Sequence, residues 1–294
     1  MLKRLIALSI TGLLVLTSFT ACTSGKKVVI GSKDFTENKI LAEMMAQVIE
    51  KNSDIKVERK INMGGTFVCF EALKKGQIDI YPEYTGTGLT AQLKLPVETD
   101  PDKVYATVST EFSKQFKIKW LEPIGFNNTY ALAMPRELAD KNNIESISDL
   151  KNLSGNFTFG AEHEFFNRDD GYDGLIKIYG LTFKNTAKMD VSLKYQAIGQ
   201  GKMDVTDAFT TDGQLKALNL KVLKDDKNFF PPYYAAPIVS EKTLENYPQL
   251  EELLNKLADT IDDETMQELN YKADNEKQSI EKVAEEFLKS KNII

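Results

Sequence analysis

The sequence predicts an α/β protein built as two lobes of like design, joined by two crossover strands. Three observations carry this reading. Strand and helix patterns alternate through the first part of the chain, which favours a mainly parallel sheet covered by helices. A stretch of that part recurs in register near the middle of the chain. Two apolar segments with a tyrosine near their start, Tyr130 and Tyr233, stand where the chain would pass from one lobe to the other and back.

Val28-Val29-Ile30, closed by Gly31-Ser32, has the pattern of a buried strand. Ile40, Leu41, Met44, Met45 and Val48 follow at the three-to-four spacing of a helix. Residues 55–61 alternate apolar and charged side chains as a second strand, Gly64-Gly65-Thr66 opens a helix through Leu73, and residues 77–81 are predicted as a third strand. Asn128 to Met134 leads into the second lobe, and the run from Phe230 through Val239 leads back. From Pro248 onward the chain is helical. Leu250, Leu253, Leu254 and Leu257, then Ile280, Val283, Ala284, Phe287 and Leu288, form apolar stripes whose charged flanks are solvated faces. Residues 28–128 with 236–294 are assigned to lobe I and 129–235 to lobe II.

The repeat sets Ala72, Gly76, Asp79, Tyr84 and Thr85 over Ala197, Gly201, Asp204, Phe209 and Thr210, and a weaker echo sets Gly31 over Gly160. Two lobes of one design explain both matches; so would the general likeness of helix-glycine-strand-loop units. In either case the same local structure occurs twice, and each strand ends with an aromatic residue on a loop. Ligands of open α/β sheets bind beyond the carboxyl ends of strands, so facing lobes would put these rings on the walls of one cleft.

Composition narrows the function classes. The 294 residues carry 43 acidic and 37 basic side chains, a formal net charge of −6, and no Lys/Arg cluster offers the basic face that phosphate contacts need. Nucleic-acid binding is not expected. Residues 1–21 have a cationic start and an apolar run from Leu5 to Leu16, the pattern of a secretory signal. They lead to Ser18-Phe19-Thr20-Ala21-Cys22, which resembles the lipobox of bacterial lipoproteins, with Phe19 where an aliphatic residue is usual. Cys22 is then the lipidated residue and 22–27 a short tether; the alternative is an ordinary cleavage site with Cys22 left as a thiol. No later apolar run reaches the ~18 residues of a membrane span. The expected location is outside the cell membrane, anchored to it by lipid, and the expected state is a monomer.

Catalysis is not expected. His163 is the single histidine, and neither a Gly-x-Ser-x-Gly elbow nor a phosphate-loop pattern is present. His163-Glu164 could be a base with its orienting acid, but no nucleophile goes with it. No cofactor or metal is implied.

Gly31-Ser-Lys33-Asp-Phe-Thr-Glu37, Gly64-Gly-Thr, Asp79-Ile-Tyr-Pro-Glu-Tyr84-Thr-Gly-Thr87, His163-Glu-Phe with Arg168 and Gly171, and Thr211-Asp212-Gly213 together resemble the substrate-binding lipoproteins of osmoprotectant ABC importers. The resemblance covers essentially everything after Cys22. It implies a bilobed type II periplasmic-binding-protein fold, a ligand of the glycine betaine, choline and carnitine class, and delivery to a membrane permease driven by a separate cytoplasmic ATPase. A trimethylammonium group has no N–H to donate, so aromatic faces must attract it. The family's aromatic cage falls on Tyr84, Tyr130, Phe209 and Tyr233; many relatives have tyrosine at Phe209, whose hydroxyl this chain lacks. Arg168 matches the arginine that holds a ligand carboxylate, and Lys33 and Thr87 match further positions on that side. Alternative readings are a receptor of the same fold for another trimethylammonium compound, such as ergothioneine, and a ligand sensor or adhesin.

Overall fold

The chain builds two five-stranded sheets of the same strand order, residues 27–31 lying between 56–60 and 80–84 in one and residues 158–162 between 185–189 and 205–209 in the other. The structure is a computed structural model that describes residues 27–168 and 171–294. The signal segment, Cys22 and residues 22–26 of the tether lie outside the described residues; Lys27 is the first residue of the first strand.

The first sheet and its covers comprise β1 (Lys27–Gly31), α1 (Thr36–Asn52), β2 (Lys56–Lys60), α2 (Thr66–Lys74), β3 (Ile80–Tyr84), α3 (Thr85–Thr87), α4 (Pro101–Phe116) and β4 (Ile118–Trp120). The second comprises β5 (Tyr130–Pro135), α5 (Arg136–Lys141), β6 (Thr158–Glu162), α6 (Tyr172–Tyr179), β7 (Asn185–Met189), α7 (Val191–Gly199), β8 (Val205–Phe209), α8 (Gly213–Ala217) and β9 (Leu220–Leu223). The chain returns through β10 (Ala235–Ser240) and ends in α9 (Glu241–Asn246), α10 (Gln249–Asn255), α11 (Asp263–Asp274) and α12 (Ile280–Ser290). Ile40, Leu41, Met44, Met45 and Val48 are all fully buried, as their spacing requires, and α1 packs along α12.

The repeat has a physical basis in three devices that occur twice. Gly76 and Gly201 both end a helix at φ +67°, a left-handed conformation in which glycine carries no Cβ penalty. The next residues, Gln77 and Lys202, donate back to the carbonyls of Ala72 and Ala197 at 2.8 and 2.9 Å. Asp79 and Asp204 then accept from the backbone N–H of Val29 and Thr158 at 2.7 and 2.8 Å, tying each strand to its neighbour. Registers agree too: Ile30 faces Ile80 in one sheet and Phe159 faces Val205 in the other.

Two local expectations are corrected. The third strand starts at Ile80 rather than Gln77, because residues 76–78 are spent closing the helix end, with Ile78 also donating to the Ala72 carbonyl at 3.4 Å. Tyr84 and Phe209 are the last residues of β3 and β8, not loop residues, and each is held by a facing strand. The sheets are also mixed. β10 is antiparallel to β3 and β4, and β5 to β8 and β9, because a strand arriving from the other lobe enters at the cleft edge and runs away from it.

The crossovers are bonded to each other as well as to the sheets. Asn127 bridges Tyr234, and Asn128 N–H donates to the Tyr233 carbonyl at 3.1 Å. Thr85 and Thr210, the residues after the two cleft-facing rings, donate their hydroxyls to the carbonyls of Pro232 and Asn127 at 3.1 and 2.7 Å. Each lobe is therefore stitched to the crossover by an equivalent threonine. α11 touches both lobes: it packs on α1, and the start of α8 lies so close that a Cβ on Gly213 would stand 2.7 Å from the Tyr271 nitrogen.

Candidate functional site in the cleft

A cavity of about 1490 Å³ opens between the two sheets, at the carboxyl ends of β3, β6 and β8. Its walls include the seven residues that the sequence resemblance assigns to ligand binding.

Tyr130 stands at the centre of the aromatic wall. It opens β5 directly opposite Phe209 at the end of β8, and the ring centroids are 4.5 Å apart at 36°. Tyr233, on the returning crossover, meets Tyr130 edge-on at 6.2 Å and 86°. Behind Tyr130 stand Phe165 and Phe230, at 5.3 and 6.2 Å. The structure thus brings three of the four proposed cage rings together. Tyr84 lines the cleft from the other lobe and packs against Phe35, at 6.0 Å. Phe35 was not among the sequence candidates; it is a large ring 39% exposed, beside Lys33 in a motif read for its polar residues.

Arg168 sits over two of the rings. Its guanidinium carbon lies 5.6 Å from the Tyr130 centroid and 6.0 Å from that of Tyr233, and Nη2 donates to the Tyr233 hydroxyl at 2.7 Å. Nη1 pairs with Glu164 at 3.2 Å. Lys33 is more committed than its sequence assignment implies. Its buried ammonium donates to Glu83 at 2.5 Å and to Thr66 Oγ1 at 3.0 Å, so two of its three N–H groups hold the protein together. Thr87, in α3, is half-buried on the same side.

Buried carboxylates form a group that sequence reasoning missed. Glu37, in the first turn of α1, is fully buried. It accepts from Tyr84 Oη at 2.8 Å, Asn128 Nδ2 at 2.6 Å, Thr211 Oγ1 at 2.6 Å and Asn270 Nδ2 at 3.1 Å. Burial raises its pKa above the usual carboxylate range, against the four donors that lower it. Glu162, ending β6, accepts from Tyr130 Oη at 3.0 Å, and burial pushes its carboxyl up to about 7 against the pull of Lys194. Lys194 is itself completely buried and donates to Asp207 at 2.9 Å, and Tyr195 donates to Asp212. Glu37 and Asp212 do fall inside motifs quoted above. Burial, which decides their role, depends on elements distant in sequence, such as Asn270 for Glu37. Among the described residues no group of three or more His, Cys, Asp or Glu side chains is placed to hold a metal ion.

Two α/β lobes that each return the chain through the other, with a cleft of ligand size between strand ends, define the class of bilobed binding proteins that enclose a small molecule. Residues 26–290 match the substrate-binding domain of the ABC-type glycine betaine transport system, and the chain belongs to this family. It is similar to the ergothioneine transport permease/ergothioneine binding protein EgtU of Helicobacter pylori, with 42% identity over 90% of this chain but only 47% of that protein's length. It is 37% identical to the carnitine transport binding protein OpuCC of Listeria monocytogenes, over 90% of this chain and 86% of that one. The crystal structure of a glycine betaine/carnitine/choline ABC transporter protein superposes with a TM-score of 0.84 at 36% identity, covering 90% of this chain and 99% of that one.

Proposed function

We propose that this chain is the extracytoplasmic receptor of an ABC importer and captures a quaternary ammonium compound with a carboxylate, of the glycine betaine and carnitine class. The observation that carries the reading is the convergence of Tyr130, Phe209 and Tyr233 on one cleft wall, with Arg168 over two of them and Tyr84 on the facing lobe. Rings attract the cation and replace water around its methyl groups; the planar guanidinium suits two carboxylate oxygens. Thr87 borders the carboxylate end, and Lys33 contributes there through the N–H that Glu83 and Thr66 leave. Residues 28–128 with 236–294 form one lobe and 129–235 the other, closing about the crossovers to enclose the ligand. The receptor works as a monomer, tethered to the membrane through a lipid on Cys22. It performs no chemistry on its ligand, and passes it to a permease powered by a cytoplasmic ATPase.

A second reading has support of its own. The Helicobacter relative is named for ergothioneine, a trimethylammonium compound that also carries a carboxylate and an imidazole ring. A cavity of about 1490 Å³ leaves room beside the rings for a molecule larger than glycine betaine. Both readings use the same cation and carboxylate contacts.

The two ends of the pocket separate in one experiment. Arg168→Ala is expected to cost glycine betaine about 1.5–3 kcal/mol, the scale of hydrogen bonds to charged groups, while choline, which has no carboxylate, loses less. Calorimetric titration of both ligands against both proteins gives an interaction free energy that isolates the carboxylate. Equal losses would assign Arg168 to holding Tyr233 and Glu164 in place, not to contacting ligand.

A further inference from the structure

Two of the proposed cage tyrosines share a feature that packing alone does not require. Each donates its hydroxyl to a buried carboxylate, and the two carboxylates belong to different lobes: Tyr84 to Glu37 and Tyr130 to Glu162. We propose that Glu37 and Glu162 are positioning residues for the cage, fixing one ring in each lobe and serving as its counter-charges for a bound cation. The inference rests on the cage proposed above and extends it to residues that touch only the rings' far ends.

The geometry supports a paired role. A phenol that donates to a carboxylate cannot spin its hydroxyl away, so the ring face keeps its direction. The carboxylate also makes the ring more electron-rich, which strengthens its negative face. Beyond the ring it adds a fixed negative charge in a region where the dielectric is low and charge interactions are long-ranged. At Glu37 the four donors match the four lone-pair sites of an ionised carboxylate. Two of these donors bring further parts of the site into one frame. Thr211 follows Phe209 by two residues in the second lobe, and Asn128 lies in the crossover two residues before Tyr130.

The groups that act on Glu162 are Lys194 and Tyr195 from α7, Asp207 from the neighbouring β8, Tyr130 from β5 and Glu164 from the following loop, with Asp212 and Arg168 beyond them acting on Lys194 and Tyr130. Lys194 donates to Asp207 and acts on Glu162 through space, while the side-chain hydrogen bond that Glu162 accepts comes from Tyr130. A ligand cation beside Tyr130 would add to the positive charge that Arg168 already places over that ring. Because burial pushes Glu162 up to about 7, the effect has a pH signature: the acid is neutral below that value and attracts the cation less, and affinity rises as pH climbs through it. His163 is exposed, follows Glu162 directly in the chain and faces Asp190 at 4.0 Å, so it is replaced in the measurement.

The test uses the mature protein carrying His163→Gln, titrated with glycine betaine and with ergothioneine, which share the trimethylammonium head, between about pH 6 and pH 8. Affinity for whichever compound binds is expected to rise about 5- to 20-fold across this range, the order given by one partly screened unit charge. Glu162→Gln and Tyr130→Phe should each flatten the profile near its low-pH value, and the double variant should show little further loss. Glu37→Gln should weaken binding at every pH; should that variant fail to fold, Tyr84→Phe removes the same contact and is expected to do likewise. Unchanged affinity and pH profile in Glu162→Gln and Tyr130→Phe, with the alanine variants of the rings still defective, would overturn the counter-charge role and leave the cage standing. Failure of the parent protein to bind either compound would overturn both.

Discussion

Lys194→Met is expected to destabilise the fold by about 3–5 kcal/mol, the usual cost of leaving one partner of a buried ion pair uncompensated. Lys194 and Asp207 have no exposed side-chain surface, and the ammonium lies 2.9 Å from Asp207 Oδ2. Asp207 also accepts from the backbone N–H of Glu162 at 3.2 Å, so its displacement would disturb the strand end beneath Tyr130. Methionine fills a similar volume, which keeps the loss electrostatic rather than a matter of a cavity. Urea unfolding reads the change directly. An exposed helical pair such as Lys289 with Glu285 serves as contrast, since solvent screens it and its removal should move the urea midpoint far less. A Lys194→Met loss as small as that of the exposed pair would contradict the assignment of stability to the buried Lys194–Asp207 contact.

Tyr130→Ala is expected to produce the largest loss of ligand affinity among single ring removals, about 10- to 100-fold. Cation attraction to one ring accounts for ~0.5–2 kcal/mol, and lost contact with the ligand's methyl groups supplies the remainder. The reason lies in its position: Phe209 and Tyr233 both pack on it, and Arg168 lies over it. The same substitution removes a buried ring and should cost about 3–5 kcal/mol of stability, so titrations belong well below its melting temperature. A folded variant that bound glycine betaine or ergothioneine as the parent does would exclude Tyr130 from the site.

Much of this architecture was legible because its devices are local. Gly76 and Gly201 end helices through their own conformational freedom, and Asp79 and Asp204 reach backbone amides of the adjacent strand, so the repeat could be read without knowing the fold. The tyrosines near the start of the crossovers were legible for the same reason. The antiparallel course of β5 and β10 was not, because it follows from which edge of a sheet the chain enters, and nothing within Tyr130–Pro135 encodes that edge. Site residues divide along the same line. Arg168 and the rings are proposed from motifs that resemble the osmoprotectant-receptor family, and those motifs are short and local. Glu37 acquires its role from Asn128, Thr211 and Asn270, which lie up to 233 residues away, and Lys194 looks like one more surface lysine until β8 is laid against it. Lys33 shows the converse: the family resemblance implied a ligand contact, while folding gave it Glu83 as a partner, which pattern reading could not supply.

The measurement that bears most directly on the central claim compares compounds that differ only in methylation of the amine. Calorimetric titration of the mature protein with glycine betaine against glycine, and with ergothioneine against 2-thiohistidine, keeps the rest of each molecule constant and changes only the cationic head. At least one methylated compound is expected to bind, its unmethylated parent far more weakly, and Tyr130→Ala to remove most of the difference. Unmethylated parents that bound as tightly as the methylated compounds would contradict capture by aromatic faces, because an ammonium with N–H groups can be held by hydrogen bonds alone.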